Sequence, residues 1–117
     1  MKRSALKSKG PSMTPLRASA EGEACTLNIL GVCNYDPSTV VLCHLPFVAK
    51  ERDSRKAPDY CAAYGCSACH DALDGRTMVL SKADKLFYGC RGLIRTLRRM
   101  VEKGLITVKG IQPGGVA

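Results

Sequence analysis

The clearest pattern of hydrophobic and polar positions lies in the last third of the chain. Apolar residues recur there at spacings of three and four; they are Leu86, Cys90, Leu93, Ile94, Leu97 and Val101. Such spacing is typical of an amphipathic helix that packs one face on a core. Ser81 and Asp84 form an N-terminal capping pair, and Gly104 is placed to end the helix. The pattern predicts a long C-terminal helix with Cys90 in the core, followed by a short strand over 105–108.

The region 25–45 consists of short β-rich runs separated by turn residues. The runs flank a turn at Gly31 and a second turn over 34–38. This arrangement predicts a pair of short strands, the second of which ends at His44. Cys43 should face away from His44, because side chains alternate along a strand.

Two short helices and one loop are predicted around these strands. Thr14 as N-cap and Pro15 in the first turn indicate a helix that runs to about Glu21. A second helix is predicted over 67–74, stopping at Gly75. The stretch 46–58 is charged and bounded by prolines, which is typical of an exposed loop.

Composition divides the chain into a core and two tails. Residues 1–14 are rich in Lys, Ser, Pro and Gly, so we expect a disordered basic arm. Residues 15–108 are predicted to form a single domain of the α+β class, and 109–117 a flexible tail.

The charge balance is strongly basic: 18 Lys and Arg stand against 10 Asp and Glu, a net charge of +8. An excess of this size indicates a polyanionic partner, and nucleic acid is the usual one. The N-terminus lacks the apolar segment of a secretory signal, and no apolar run is long enough to span a membrane. We therefore expect a cytoplasmic protein whose thiols stay reduced.

Seven cysteines are available for structural chemistry. The C-x-x-C at Cys66 and Cys69 favours a tetrahedral metal over a secreted disulfide framework. A second pair, Cys25 and Cys33, encloses a seven-residue loop. Two such pairs, one on a turn and one at a helix start, are the plan of treble-clef zinc modules. Four thiolates would make the zinc structural, with Cys61 as the alternative ligand.

Cys66 and Cys69 also spell C-x-x-C-H with His70, which is the attachment signature of haem c. Haem attachment of that kind is typical of exported proteins, and we expect no export here, so zinc is preferred. The other histidine of the chain, His44, ends the second predicted strand. HNH nucleases have a ββα-metal layout. In this layout a strand pair held by zinc carries one histidine and packs on a helix that carries another.

Two stretches of the sequence carry a closer resemblance. The region 16–106 resembles the prophage-encoded putative nucleases of the YbcO type. Two segments carry the resemblance: EACTLNILGVCNYDPSTVVLCHL and APDYCAAYGCSACHDALDGR. That family is grouped with zinc-containing HNH endonucleases. The resemblance implies a treble-clef, ββα-metal fold and metal-dependent hydrolysis of phosphodiester bonds. It also implies double-stranded DNA as partner, in the cytoplasm of a bacterial host.

The resemblance assigns roles to three residues. His44 matches the general base that polarises water for attack on the phosphodiester. His70 matches a ligand of a catalytic divalent ion such as Mg²⁺ or Mn²⁺. The sequence lacks the central Asn or His of the HNH pattern and has Cys61 there, so Asp59 is the nearest polar residue that could orient His44 or bind the ion. Cys43 replaces the Asp that often precedes the base.

Two other groups of charged residues have candidate roles. Asp71 and Asp74 could supply oxygen ligands, although Asp near a helix start is commonly only a partner of the helix dipole. The polar face of the C-terminal helix carries four arginines: Arg91, Arg95, Arg98 and Arg99. They could contact a phosphate backbone without reading bases, or they could simply be solvated. The loop cations Lys50, Arg52, Arg55 and Lys56 could close over bound nucleic acid.

Three functions are therefore in competition. The favoured one is an HNH-like endonuclease with a structural zinc and a catalytic divalent ion. The alternative is a non-catalytic zinc module that binds nucleic acid, which the missing central Asn supports. The third is a zinc-stapled adaptor that contacts other phage proteins.

Overall fold

The computed structural model describes residues 13–45 and 57–112. The regular elements, in chain order, are α1 (Pro15–Ala18), a 3₁₀ turn (Pro37–Thr39), β1 (Val41–His44), β2 (Ala62–Gly65), α2 (Ser67–Leu73) and α3 (Lys82–Glu102). β1 and β2 pair antiparallel as a two-stranded hairpin, with Val41 opposite Gly65 and His44 opposite Ala62. The predicted α+β class is confirmed as a hairpin followed by a long C-terminal helix.

The predicted tails and loop lie largely outside these residues. The arm is described only from 13, the tail only to 112, and the loop only at 57 and 58. The four loop cations fall in the undescribed part of that loop. No helix in the described ranges combines the length and the apolar character needed to cross a bilayer.

The helix starts follow the capping chemistry of the sequence. The Thr14 hydroxyl accepts from the amide of Arg17 at 3.1 Å, and the Ser81 hydroxyl accepts from the amide of Asp84 at 3.0 Å. α1 is shorter than predicted, because it ends at Ala18 and the chain turns at Gly22, whose φ is +79°.

The helix ends also lie close to the predicted glycines. Gly75 follows α2 with φ +78°, and Gly104 follows α3 with φ +75°. This left-handed backbone suits a residue without a Cβ. The short strand predicted over 105–108 is wrong, since the amides of Leu105 and Ile106 instead donate to the carbonyl of Met100 at 2.9 and 3.4 Å.

The first strand predicted within 25–33 is also wrong. This segment, here called the cysteine loop, turns through Asn28 and Gly31 with φ of +43° and +76°. Its amides are directed to sulfur: Asn28 N–H donates to Cys25 Sγ and Ile29 N–H to Cys69 Sγ. Amides used in this way cannot form a strand ladder. β1 therefore pairs with β2, a segment for which the sequence pattern predicts no strand.

The buried side of α3 differs from the predicted apolar stripe. The buried positions are Gly89, Gly92, Thr96 and Met100. Cys90, predicted in the core, is exposed, and Ile94 is 58% exposed. Helix and hairpin pack through small residues, because a Cβ on Gly92 would lie 2.9 Å from Leu27 and 3.0 Å from Ala63.

Thr96 is the polar residue at the centre of this contact. Its hydroxyl oxygen accepts from the amide of Tyr64 at 2.9 Å and lies 2.9 Å from the Thr26 hydroxyl. The amide of Thr26 in turn donates to the carbonyl of Tyr64 at 2.7 Å. The outer edge of β2 is thus paired by a side chain of α3 and by the start of the cysteine loop, which satisfies buried backbone groups.

Candidate functional site

Four cysteines form one compact cluster. The Sγ atoms of Cys25, Cys33, Cys66 and Cys69 all lie within 4.8 Å of one another. Cys33 Sγ and Cys66 Sγ are 3.9 Å apart, close to the roughly 3.8 Å between two ligands of a tetrahedral zinc with Zn–S bonds of about 2.3 Å. This set of soft thiolate donors fits a structural zinc. Cys61, the alternative ligand, lies outside the cluster.

Backbone amides surround the sulfur atoms. Besides the two donors from the cysteine loop, the amide of Asn34 donates to Cys66 Sγ at 3.5 Å and the amide of Cys69 donates to the same sulfur at 3.4 Å. The side-chain amide of Asn28 donates to Cys33 Sγ at 3.5 Å. Hydrogen bonds of this kind stabilise thiolates, so the loop and the N-terminus of α2 are organised around negative sulfur.

The clustered thiols differ in the direction of their pKa shifts. A hydrogen bond from the Cys69 thiol lowers the pKa of Cys25, and the same contact raises the pKa of Cys69. Burial raises the pKa of the Cys33 thiol. A metal would displace the remaining protons, so the affinity for zinc falls as the solution becomes more acidic.

A second constellation centres on Asp59, just before β2. Its Oδ1 lies 2.7 Å from His44 Nε2, and its Oδ2 accepts from the Thr14 hydroxyl at 2.8 Å. Arg17 Nε lies 3.5 Å from Oδ1 as an ion pair. Three separated parts of the chain, the start of α1, the end of β1 and the segment before β2, therefore meet at one carboxylate.

The protonation of this group follows from its partners. The pKa of Asp59 lies below its ordinary value, first because of the hydrogen bond with His44; partial burial opposes the shift, and Thr14 and Arg17 support it. An ionised carboxylate only accepts hydrogen bonds, so His44 Nε2 carries the hydrogen. In the neutral ring Nδ1 then holds the free lone pair.

His70 has a comparable partner on its own helix. Its Nε2 lies 3.2 Å from Asp74 Oδ2, one helical turn later. Arg76 contacts Asp74 at 3.3 Å and Asp71 at 3.2 Å. Both carboxylates that the sequence suggested as oxygen ligands thus have cationic or imidazole partners within the chain.

One concave surface holds both histidines. It is a cavity of about 580 Å³ between α1, β1 and the start of α2, here called the cleft. Its lining includes Arg17, Glu21, Ser38, Leu42, His44 and His70. Cys43, by contrast, is fully buried on the side of β1 that faces Leu27 and Gly65. The strand alternation predicted for Cys43 and His44 is therefore observed.

The four arginines of α3 have different surroundings. Arg91 donates to the carbonyls of Leu27 and Asn28 at 2.9 and 3.2 Å. Arg95 donates to Asn28 Oδ1 at 3.0 Å, and Arg99 to a carboxylate oxygen of Glu23 at 2.9 Å. These three arginines tie α3 to the segment that carries the first cysteine pair. Arg98 is exposed, and no hydrogen bond or ion pair joins it to another residue of the described ranges.

Sequence reasoning did not identify Arg17 or the second role of Thr14. The sequence predicts Thr14 only as a helix cap and predicts no role for Arg17. Their contacts with Asp59 span more than 40 residues of sequence. No local pattern encodes a contact of that kind.

Comparison with known proteins places the chain among relatives. Residues 14–105 match the family model described as "Putative nuclease YbcO". The chain is 36% identical over 94 residues to "Putative nuclease YbcO" of Escherichia coli (strain K12), a match that covers 80% of this chain and 98% of the relative. "Putative nuclease ybcO" of Enterobacteria phage 82 matches with the same figures.

A solved structure agrees with these matches. "Structure of a putative bacteriophage protein from Escherichia coli str. K-12 substr. MG1655" aligns with a TM-score of 0.64 and 37% identity, covering 77% of this chain and 100% of that one. The similarity thus extends over both cysteine pairs and both histidines. The resemblance seen in the two cysteine and histidine segments is confirmed, and the chain belongs to the YbcO family of putative nucleases.

Proposed function

We propose that this protein is a metal-dependent, HNH-like endonuclease that hydrolyses phosphodiester bonds in double-stranded DNA. One observation carries the proposal: His44 and His70 line the same cleft, and His44 Nε2 is held by Asp59 at 2.7 Å. On this proposal β1, β2 and α2 form the ββα-metal unit. The four-cysteine cluster holds a structural zinc apart from the two histidines.

His44 is the general base. Its Nε2–H is engaged by Asp59, which leaves Nδ1 to take a proton from water that attacks the phosphorus. Asp59 is a positioning residue in this scheme, because it fixes the tautomer and orientation of the ring. It takes the place of the central Asn of the HNH pattern. A positioned base of this kind is worth about 10²–10⁴ in rate.

His70 would hold the catalytic divalent ion. Contact of its Nε2 with Asp74 leaves Nδ1 as the ligating atom, the arrangement usual for histidine ligands supported by a carboxylate. When bound, such an ion neutralises the scissile phosphate and stabilises the leaving oxygen. Asp74 then orients His70 through the contact that it already makes.

The basic face of α3 is proposed to hold the DNA backbone. Arg95, Arg98 and Arg99 are exposed, and guanidinium groups that donate to protein oxygens keep further N–H groups for phosphate. Arg91 is the most engaged with the chain itself. Contacts of this kind add affinity without sequence preference.

The test is nicking of supercoiled plasmid by zinc-loaded protein in the presence of Mg²⁺ or Mn²⁺. His44→Ala should keep the zinc and bind DNA but cut about 10²–10⁴-fold more slowly. His70→Ala should lose activity through weaker ion binding, so excess ion should partly restore it. The same excess should do nothing for His44→Ala.

A variant at Thr77, exposed and outside the cleft, is the matched control. Thr77→Ala should cut like the native protein. If His44→Ala cuts as fast as Thr77→Ala, the assignment of the base fails. If the native protein binds DNA but cuts with neither ion, the non-catalytic zinc module replaces the nuclease as the better reading.

A further inference from the structure

α3 has a second apolar face, on the side turned away from the hairpin. Its members are Leu86, Phe87, Cys90, Ile94, Leu97 and Val101, here called the outer face. Phe87 and Ile94 are 57% and 58% exposed. The outer face is centred roughly 130° around the helix axis from the buried glycine and threonine positions. An exposed apolar stripe of this length on a small domain marks an interaction surface.

The spacing of the outer face is that of a helix–helix seam. Five of its residues follow one another at intervals of 3, 4, 3 and 4; they are Phe87, Cys90, Ile94, Leu97 and Val101. This is the a/d repeat with which one helix packs against another. Within the described residues no second helix of this chain lies along the outer face, since α3 packs on β2 through its opposite side.

The two ends of the outer face differ in shape. Near the C-terminal end, a depression of about 280 Å³ lies between α3 and the segment that follows it. Its apolar lining is Leu97, Val101, Val108 and Ile111. Near the N-terminal end stands the exposed ring of Phe87, with the Arg91 guanidinium 5.1 Å from its centroid. One end thus carries an aromatic side chain and the other an apolar depression.

A two-fold axis near residue 92 brings these ends together. It sets α3 antiparallel to the same helix of a second copy and places Phe87 opposite Leu97 of the partner subunit. Asp84 then lies near Arg98 of the partner subunit, which gives a pair of opposite charges at each end of the seam. Arg91 lies near its own copy at the middle of the same edge, where the carbonyls of Leu27 and Asn28 hold its guanidinium group. Isologous contacts of this kind are the commonest way in which soluble proteins form dimers.

We propose that the protein forms a homodimer in which the outer faces of two α3 helices pack antiparallel, with Phe87 of each copy in the depression of the other. The cleft is formed by α1, β1 and α2, and α3 packs on the other side of the hairpin through Ala63. Both clefts therefore stay open. Arg95 and Arg99 lie away from the seam, whereas Arg98 is shared with it. The proposal does not depend on nuclease activity.

Sedimentation velocity of the zinc-loaded full chain tests the pairing, from about 1 to 100 µM. The native protein should approach twice the chain mass of 12.6 kDa. Ile94→Glu places two carboxylates in each seam and should weaken the dimer at least about 100-fold. Leu30→Glu is the matched control, because Leu30 is 86% exposed on the cysteine loop. A native protein that stays monomeric, or an Ile94→Glu variant as dimeric as Leu30→Glu, would overturn the proposal.

Cross-linking tests whether the two α3 helices are antiparallel. It also tests the dimer itself if the Ile94→Glu variant fails to retain zinc. In an antiparallel seam, Ile94→Cys lies opposite Cys90 of the partner subunit, so mild oxidation should link the two copies. Adding Cys90→Ser should abolish the link. A link that persists in the double variant would indicate a parallel pairing, and no link in either variant would indicate that the outer faces do not meet. Either result would contradict the proposal.

Discussion

Asp59 connects three parts of the chain through a single side chain. It accepts from the cap residue of α1, contacts the histidine that ends β1, and precedes β2 in sequence. Because its partners favour the charged form, the carboxylate stays ionised below the pH at which a free aspartate is protonated. The contribution of this carboxylate to stability is complete above the ordinary pKa of about 3.9 and is lost only as the pH falls through the lowered value.

At the residue scale, Asp59→Asn is expected to lower cleavage by about 10–10²-fold with little change in fold. An amide can donate or accept, so it no longer fixes the tautomer of His44. The lost contact with Arg17 is partly exposed and should cost no more than about 1 kcal/mol. Plasmid nicking and the thermal midpoint are measured together, and the pH profile of cleavage should shift in the variant.

Glu102→Gln supplies the control for this change, since it removes an exposed carboxylate paired with Arg99 at the far end of α3. It should leave the pH profile of cleavage unchanged, because Glu102 has no contact with His44. If Asp59→Asn behaves like Glu102→Gln, Asp59 does not position the base.

The cysteine loop and α2 form one structural unit around sulfur. Cys66 is both a member of the cluster and the N-cap of α2, where its sulfur accepts from the amide of Cys69. The same sulfur accepts from Asn34, beyond the loop. Arg91 and Arg95 hold the loop against α3 from the other side. Several short segments therefore depend on the four-cysteine cluster for their conformation, because none of them is long enough to be stable alone.

At the element scale, Cys66→Ser is expected to lose zinc and to unfold the domain. Apparent binding of structural zinc is worth on the order of 10 kcal/mol, which is comparable to the whole stability of a small domain. Zinc content and the circular dichroism melt report the result, and a chelator should reproduce it in the native chain. Cys90→Ser, at an exposed cysteine, should keep one zinc. A Cys66→Ser protein with full zinc content and an unchanged melt would refute the zinc assignment.

At the scale of the whole molecule, charge and apolar surface are separated around α3. The hairpin occupies one side, arginines another, and the outer face a third. The net charge of +8 is large for a chain of 117 residues. Part of it is neutralised internally, since Arg99 and Lys103 both bind Glu23 at 2.9 Å. Exposed arginines next to this network remain available to a polyanion.

The salt dependence of DNA binding tests that availability. Arg95→Ala together with Arg98→Ala should flatten the slope of log affinity against log salt by roughly 2, for all sequences alike. Each arginine would contact about one phosphate. The measurement is made in the Ile94→Glu variant, because the proposed dimer contact would otherwise compete with DNA for Arg98. Lys109→Ala, at an exposed cation beyond α3, is the control. An unchanged slope in the double variant would mean that this face is only solvated.

The sequence by itself determined the features that depend on near neighbours. The start of α3 at Ser81 and the turns at Gly75 and Gly104 rest on hydrogen bonds and backbone angles within a few residues, so local residue types specify them. The four cysteines of the cluster were also identified from the sequence, because thiolate chemistry and a C-x-x-C spacing restrict the choices. The two cysteine and histidine segments were sufficient to indicate the family.

Only the tertiary structure decided which surfaces meet. Periodicity shows that α3 is amphipathic, but two of its sides could face a core: the side that carries Gly89 and Gly92, and the outer face. The hairpin packs on the side that carries the glycines, because Gly92 lets α3 approach β2 closely and the Thr96 hydroxyl accepts a hydrogen bond from the edge of β2. The contact between His44 and Asp59 was decided in the same way. Such pairings join residues far apart in sequence, and each depends on satisfying buried backbone and charged groups that no local pattern records.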